Sequence, residues 1–108
     1  MTKYYLLMTT VSTVDDGQQL AALAVESQLA ACAQVQASCH STYWWKGNIE
    51  SALEIPVHFK TKEECLGQLI DLVQKNHKYD VPEIVAIEIN TLSPSYAQWL
   101  SESLAIDL

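Results

Sequence analysis

At 108 residues, with 49% hydrophobic and 18% charged side chains, the chain is long enough for one domain, residues 1–108, with a real core; a disordered, collagen-like or low-complexity polymer is excluded. Thirteen acidic residues face six basic ones, for a formal net charge of -7, and every basic side chain is a lysine. Phosphate and base recognition run on clustered Lys and Arg, with the arginine fork favoured, so neither nucleic acid nor an anionic membrane is expected as a partner.

The chain opens MTKYYLLMTTV, a short apolar run without a basic leader or a small-residue cleavage site. No run approaches the roughly 20 apolar residues of a membrane span, so a soluble, cytoplasmic protein is expected. Residues 4–11 are β-branched and aromatic enough for a buried strand. The following stretch changes period: Leu20, Leu23, Ala24 and Ser27 share one helical face, and Asp15 with Gln18 resembles a capping box at its start. From 31 to 45 the odd positions are mostly apolar (Ala31, Ala33, Val35, Ala37, Cys39, Ser41, Tyr43, Trp45) and the even ones mostly polar, which reads as a strand with one apolar face. Residues 46–48 make a turn, with Gly47 free to adopt positive φ. A second strand follows, with Leu53, Ile55, Val57 and Phe59 on one face. Thr61 with Glu64 reads as another capping box, ahead of an amphipathic helix carrying Leu66, Leu69, Ile70 and Val73. Residues 76–83 form a loop, because Pro82 pushes Val81 out of helical space. Residues 84–89 are a strand, and Ser93-Pro94 starts a short last helix with Tyr96, Trp99, Leu100 and Ser103 on one face. The order βαββαβ plus a terminal helix predicts an α+β fold, a ferredoxin-like sandwich with a long β-hairpin.

That hairpin is too long for the domain. Residues 31–45, extended at about 3.3 Å each, would span roughly 50 Å, against roughly 30 Å for a compact domain of this size. Either the strand breaks at a bulge or its far end leaves the domain. A projecting end carrying Tyr43, Trp44 and Trp45 is an exposed apolar edge, and pairing with another subunit removes it.

The stretches LAACAQV (29–35), STYWWKGNIE (41–50), FKT (59–61), YDVPEIVAIEI (79–89) and SYAQWL (95–100) run in that order over essentially the whole chain. Together they resemble the CutA family, named for divalent-cation tolerance. The resemblance implies a homotrimer whose hairpins cross between subunits, in an architecture shared with the PII signalling proteins, with Tyr43, Trp44 and Trp45 as trimer-interface packing. Two departures stand out. Ala37-Ser38 replaces a Pro-Gly common in the long strand, so the strand is expected to bend elsewhere or less. Pro56 lies in an internal strand, where its missing N–H should fall at a bulge or at the end of pairing.

Catalytic machinery is not expected. The three glycines are dispersed, so no phosphate-cradling loop exists, and neither GxSxG nor HExxH occurs. Cys32 is weighed as a nucleophile against a small buried cysteine, and Glu50, Glu54 and Glu83 as a carboxylate set against solvated charge; both are assigned the structural role. Three cysteines without CxxC fit free thiols in a reducing compartment. Potential soft or borderline metal ligands are Met8, Cys32, Cys39, Cys65, His40, His58 and His77. On the family's pattern, copper ligands would fall at Met8, Asn76 and His77, leaving Met8 and His77 as the candidate donors and copper binding weak. The PII-like architecture implies a cleft between subunits, for which Lys62, Trp45, Tyr79 and Tyr96 are candidates. The resulting expectation is a trimeric protein of divalent metal ion (copper) tolerance that binds a metal ion or small ligand, with a PII-like sensor as the alternative.

Overall fold

The computed structural model describes residues 2–105. Its elements are β1 (Tyr4–Val11), α1 (Val14–Glu26), β2 (Cys32–Val35), β3 (Cys39–Trp45), β4 (Asn48–Lys62), α2 (Glu63–Asn76), β5 (Val85–Ile89) and α3 (Pro94–Glu102). All pairings are antiparallel, in the order β2-β4-β1-β5, with β3 continuing along β4. This is the sandwich expected from the sequence.

Alternation decides what each face meets. Leu7, Thr9 and Val11 of β1 and Ile55, Val57, Phe59 and Thr61 of β4 point to one face and are buried. Two helices cover that face, α1 through Gly17, Leu20 and Ala24, α2 through Cys65, Leu69 and Val73. A Cβ on Gly17 would lie 3.2 Å from methyls of both Val35 and Val57, so glycine lets α1 approach the sheet closely. The opposite face is only partly covered. There α3 touches one end: Tyr4 Oη lies 2.8 Å from Ser101 Oγ, and Tyr96 reaches Cys32. Beyond α3, Val85 and Ile87 remain 44% and 50% exposed on that face, beside Leu6 and Met8.

The long strand breaks. Val35 stands opposite Val57 and Cys39 opposite Glu54, so residues 36–38 face only 55–56 and one residue is left over, a β-bulge. This corrects the sequence reading twice. The break does fall at Ala37-Ser38, without Pro-Gly, and the apolar face does not run unbroken from 31 to 45. Before the bulge the odd positions, Ala33 and Val35, face the helices' side; after it the even positions do, so Trp44 shares that side and Tyr43 and Trp45 turn to the opposite one. Pro56 supplies the physical reason. Its carbonyl accepts from Gln36 N (2.8 Å), so its nitrogen faces the same neighbour with no proton to donate, and the regular ladder ends there. The missing N–H thus falls at a bulge, as anticipated.

Two helix starts also differ from expectation. The N-cap of α1 is Thr13, not Asp15: Thr13 Oγ1 accepts from Asp16 N at 3.1 Å. At α2 the cap position is Lys62, without a side-chain bond, because Thr61 is buried and donates to Leu29 O at 2.7 Å. Ser93 does cap α3 with Pro94 following, though without a side-chain bond. Leu23, placed on the buried face of α1 by period, is 42% exposed.

The two-residue turn at Lys46 and Gly47 has φ of 50° and 81°, the doubly left-handed geometry that matches strand twist in tight hairpins. Trp44 (71% exposed), Ile49 (63%) and Leu53 (59%) line one face of the projecting hairpin, and the molecule reaches 44 Å along its long axis.

Candidate functional site

The segment that follows α2 is fastened in three places. His77 Nδ1 accepts from Tyr79 N (3.1 Å), which leaves the proton on Nε2 to be donated to Thr10 O (2.8 Å) at the end of β1. Lys78 Nζ pairs with Asp16 Oδ1 at 2.7 Å, and that contact holds the Asp16 carboxyl below its ordinary value. Tyr79 Oη donates to Glu54 Oε2 (3.1 Å) at the base of the hairpin. Burial first, and then the Glu54 carboxylate, push the Tyr79 phenol up to about 12.

These ties hold the 79–83 segment alongside the hairpin and leave a groove of about 790 Å³ between them. Its walls carry aromatic rings (Tyr43, Trp45 and Tyr79 among them) and three carboxylates, Glu54, Asp80 and Glu83, with no lysine. A wall of this kind suits a ligand with an apolar body and positive charge. A smaller pocket of about 80 Å³ lies on the helical side, against Asp16, Leu20, Leu23 and His77.

The sequence candidates divide between the two ends of the molecule. Trp45 and Tyr79 both line the groove. Lys62 and Tyr96 do not: Lys62 ends β4, eight residues and roughly 26 Å from Glu54. Tyr96 belongs to a cluster at the α3 end, with Cys32 Sγ at 3.7 Å, Lys60 Nζ 5.9 Å from the ring centroid and Trp99 tilted against it, centroids 5.3 Å apart. Burial, and then the Cys32 contact, hold the Tyr96 phenol above its ordinary value. Within one protomer, therefore, Trp45 and Tyr79 share the groove, and Lys62 and Tyr96 lie away from it. Cys65 is a core residue whose thiol is pushed up by burial. All three cysteines are free.

Residues 5–103 match the family described as "CutA1 divalent ion tolerance protein". The chain belongs to the CutA family. Protein CutA 1, chloroplastic, of Oryza sativa is 35% identical over 98 residues, covering 91% of this chain and 55% of that protein. The chain likewise spans 54% of the Arabidopsis thaliana relative, about half the length of these curated plant proteins. The divalent-cation tolerance protein CutA of Salmonella newport is 30% identical, with 92% of this chain and 86% of that one covered. Among solved structures, CutA from Synechococcus elongatus superposes with a TM-score of 0.91 at 40% identity over 95% of this chain and 91% of that one. The divalent ion tolerance protein CutA1 from Ehrlichia chaffeensis gives 0.91 at 27% identity over 98% and 99%.

Set against the copper positions carried over from the CutA family, the side chains of this chain do not fit a tight cupric site within one protomer. Both His77 nitrogens already have partners, and Asn76 Nδ2 is turned back onto Leu72 O (2.8 Å) of its own helix. Met8 sits opposite His58 in the sheet and offers one soft thioether. Among the described residues, no three His, Cys, Asp or Glu side chains gather closely enough to hold a metal ion. Likewise among the described residues, no helix is long and apolar enough to cross a membrane.

The sequence reading takes Glu54 and Glu83, with Glu50, only as a carboxylate set and does not join them to Tyr79 and Trp45. The available signal was parity. Glu54 shares a face of the hairpin with Tyr43 and Trp45 once the bulge is counted, whereas the unbroken alternation put it on the wrong side of that count.

Proposed function

We propose that the chain works in divalent-cation tolerance as a homotrimeric binding module of the cytoplasm, not as a catalyst. The observation that carries this reading is the projecting hairpin. Trp44 of β3 and Ile49 and Leu53 of β4 stand 71%, 63% and 59% exposed, on a hairpin whose outer strand β3 has no partner but β4 among the described residues. A long apolar edge of this sort is covered in soluble proteins, and a second copy presenting its own open sheet face, with Val85 and Ile87, is a complementary cover. Tyr43, Trp44 and Trp45 are then interface residues. Copper binding is weak, with Met8 and His77 as the only carried-over donors; the occupied nitrogens of His77 support that reading.

Native mass spectrometry of the purified protein tests the assembly: a trimer is expected at micromolar concentration, and Trp45→Ala weakens it, since interface aromatics typically contribute about 2 kcal/mol or more each. A wild-type monomer at that concentration would refute the assembly. Calorimetric copper titration should find weak binding that His77→Ala hardly changes; tight binding lost in that variant would refute the metal reading. The groove favours a second reading, a PII-like sensor holding a small molecule between subunits, for which a molecule retained through purification is the expected sign.

A further inference from the structure

We propose that the hairpin has two possible registers, and that Pro56 selects the one observed and so decides which aromatic face the molecule offers to a second copy. The register stands on the single chain; only the clause about a second copy rests on the homotrimer reading above.

The alternative register follows from β2. There Cys32 faces Lys60 and Val35 faces Val57, and the same count continued without a surplus residue sets Ser41 opposite Ser51, Tyr43 opposite Ile49 and Trp44 opposite Asn48. The loop would then be Trp45-Lys46-Gly47, the three-residue form in which only the last position needs left-handed backbone, and a glycine already stands there. Such a strand is straight, and its mostly apolar odd positions run on the helices' side from Ala33 to Tyr43, beside Ile49 and Leu53. The observed register lacks these advantages. It carries the surplus residue at 36–38, and it holds Lys46, a residue with a Cβ, at a φ of 50°. None of Gln36, Ala37 and Ser38 adopts positive φ, so no special backbone conformation fixes the bulge at that place. Pattern and turn chemistry both favour the register that the chain does not adopt. A conflict of that kind between local preference and fold means that another residue decides.

Pro56 is that residue. A straight ladder would close the Gln36 and Pro56 pair with two hydrogen bonds; the one from Gln36 N to Pro56 O is made at 2.8 Å, and the return bond has no proton. The proline ring lies where that proton would be and turns β3 away from β4 just after Gln36, so that β3 rejoins one residue late. Changing the register exchanges the faces. As observed, Trp44 lies with Ile49 and Leu53; in the straight form Tyr43 takes that place and Trp44 joins Glu50 and Glu54 on the other side. A second copy would meet a different surface.

Disulfide trapping in the full chain reads the register. Thr42→Cys with Ser51→Cys reports the observed one, in which the two hydroxyl oxygens lie 3.4 Å apart, and Ser41→Cys with Ser51→Cys reports the straight one. Both pairs are placed in a Cys39→Ser background, and the bonds are located by peptide mass spectrometry. With Pro56 in place the 42–51 bond should form and the 41–51 bond should not. Pro56→Val should raise the ratio of 41–51 to 42–51 about tenfold or more, the change that about 1.4 kcal/mol brings. Deleting Ala37 from the Pro56→Val chain removes the surplus residue, makes the two registers one, and should restore the 42–51 bond. Circular dichroism checks the fold of each chain; if Pro56→Val does not fold, Pro56→Ala carries the same expectation. A ratio unmoved by the substitution, or a 42–51 bond that the deletion does not restore, overturns the proposal. Native mass spectra separate its two parts. A wild-type monomer with the 42–51 bond refutes the trimer and leaves the register standing, whereas a Pro56→Val chain that changes register and keeps a trimer of wild-type strength overturns the role of Pro56 in assembly.

Discussion

Between Ile55 and Thr61 every second residue of β4 is buried, with Val57 and Phe59 at 0% exposure, whereas between Asn48 and Leu53 a similar alternation leaves Ile49 at 63% and Leu53 at 59%. One strand thus passes through two environments. The buried half lies under α1 and α2; the exposed half begins where the helices no longer reach. Period-two patterning states that a strand has an apolar face, and the contacts of the folded chain state what, if anything, lies on it. An apolar face with no cover in its own chain is a demand on a partner.

The largest test sets the halves against each other. Phe59→Ala should cost about 3–5 kcal/mol in urea unfolding, the usual loss for a buried aromatic. Leu53→Ala should stay within about 0.5 kcal/mol in chains dilute enough to be single, as for other exposed positions, and should grow with protein concentration once copies cover the hairpin. A concentration-independent Leu53→Ala loss as large as that of Phe59→Ala would mean that the hairpin folds back on its own chain.

A finer test stays within the buried half and its neighbour. Thr9 and Thr61 are both fully buried, yet Thr61 Oγ1 donates to Leu29 O while Thr9 Oγ1 has no hydrogen-bond partner among the described residues. Thr61→Val should destabilise by about 1–3 kcal/mol, because Leu29 O loses its donor in a dry place. Thr9→Val removes an orphaned hydroxyl and should stabilise by about 1 kcal/mol. The opposite signs are the check, read from urea midpoints at constant slope.

The smallest effect concerns the tie between the two halves. The Tyr79 phenol has its pKa raised in the folded state, so its contribution is fully present below pH about 10 and is lost as pH rises toward about 12. The Tyr79→Phe variant should lack that component, so the difference between wild-type and variant stability should shrink over this window. A difference that stays constant would mean that Tyr79 is not held by Glu54 in solution.

Much of the fold was legible from pattern. The switch from period two to 3.6 and back located every helix and strand except the division of the 31–45 run into β2 and β3, and the excess length of that run pointed to a break or an exit. What stayed hidden has physical causes. A bulge was one of the expected outcomes, but its place at 36–38 was hidden because its usual glycine is absent and its cause, Pro56, lies across the ladder, twenty residues from Gln36. The caps were misplaced because Thr13 and Asp15 are both good cap residues, and because Thr61 looks like a cap until tertiary burial gives its hydroxyl another carbonyl. Of the four residues expected in one cleft, Trp45 and Tyr79 line the same groove within a protomer, whereas Lys62 and Tyr96 lie away from it. Sequence order carries no measure of the length of β4 that separates them.

The surplus residue at 36–38 also turns the hairpin into a lever. Seven residue pairs extend beyond it, roughly 23 Å of strand at about 3.3 Å per residue. A bend there of roughly 20°, the size of the ordinary twist between neighbouring strands, would swing the tip by roughly 8 Å. Three small or polar residues, Gln36, Ala37 and Ser38, therefore govern the aim of Trp44 and Trp45 without touching them. Removing one of them would straighten the strand, leave every face as it is, and send the same aromatic tip to a different address.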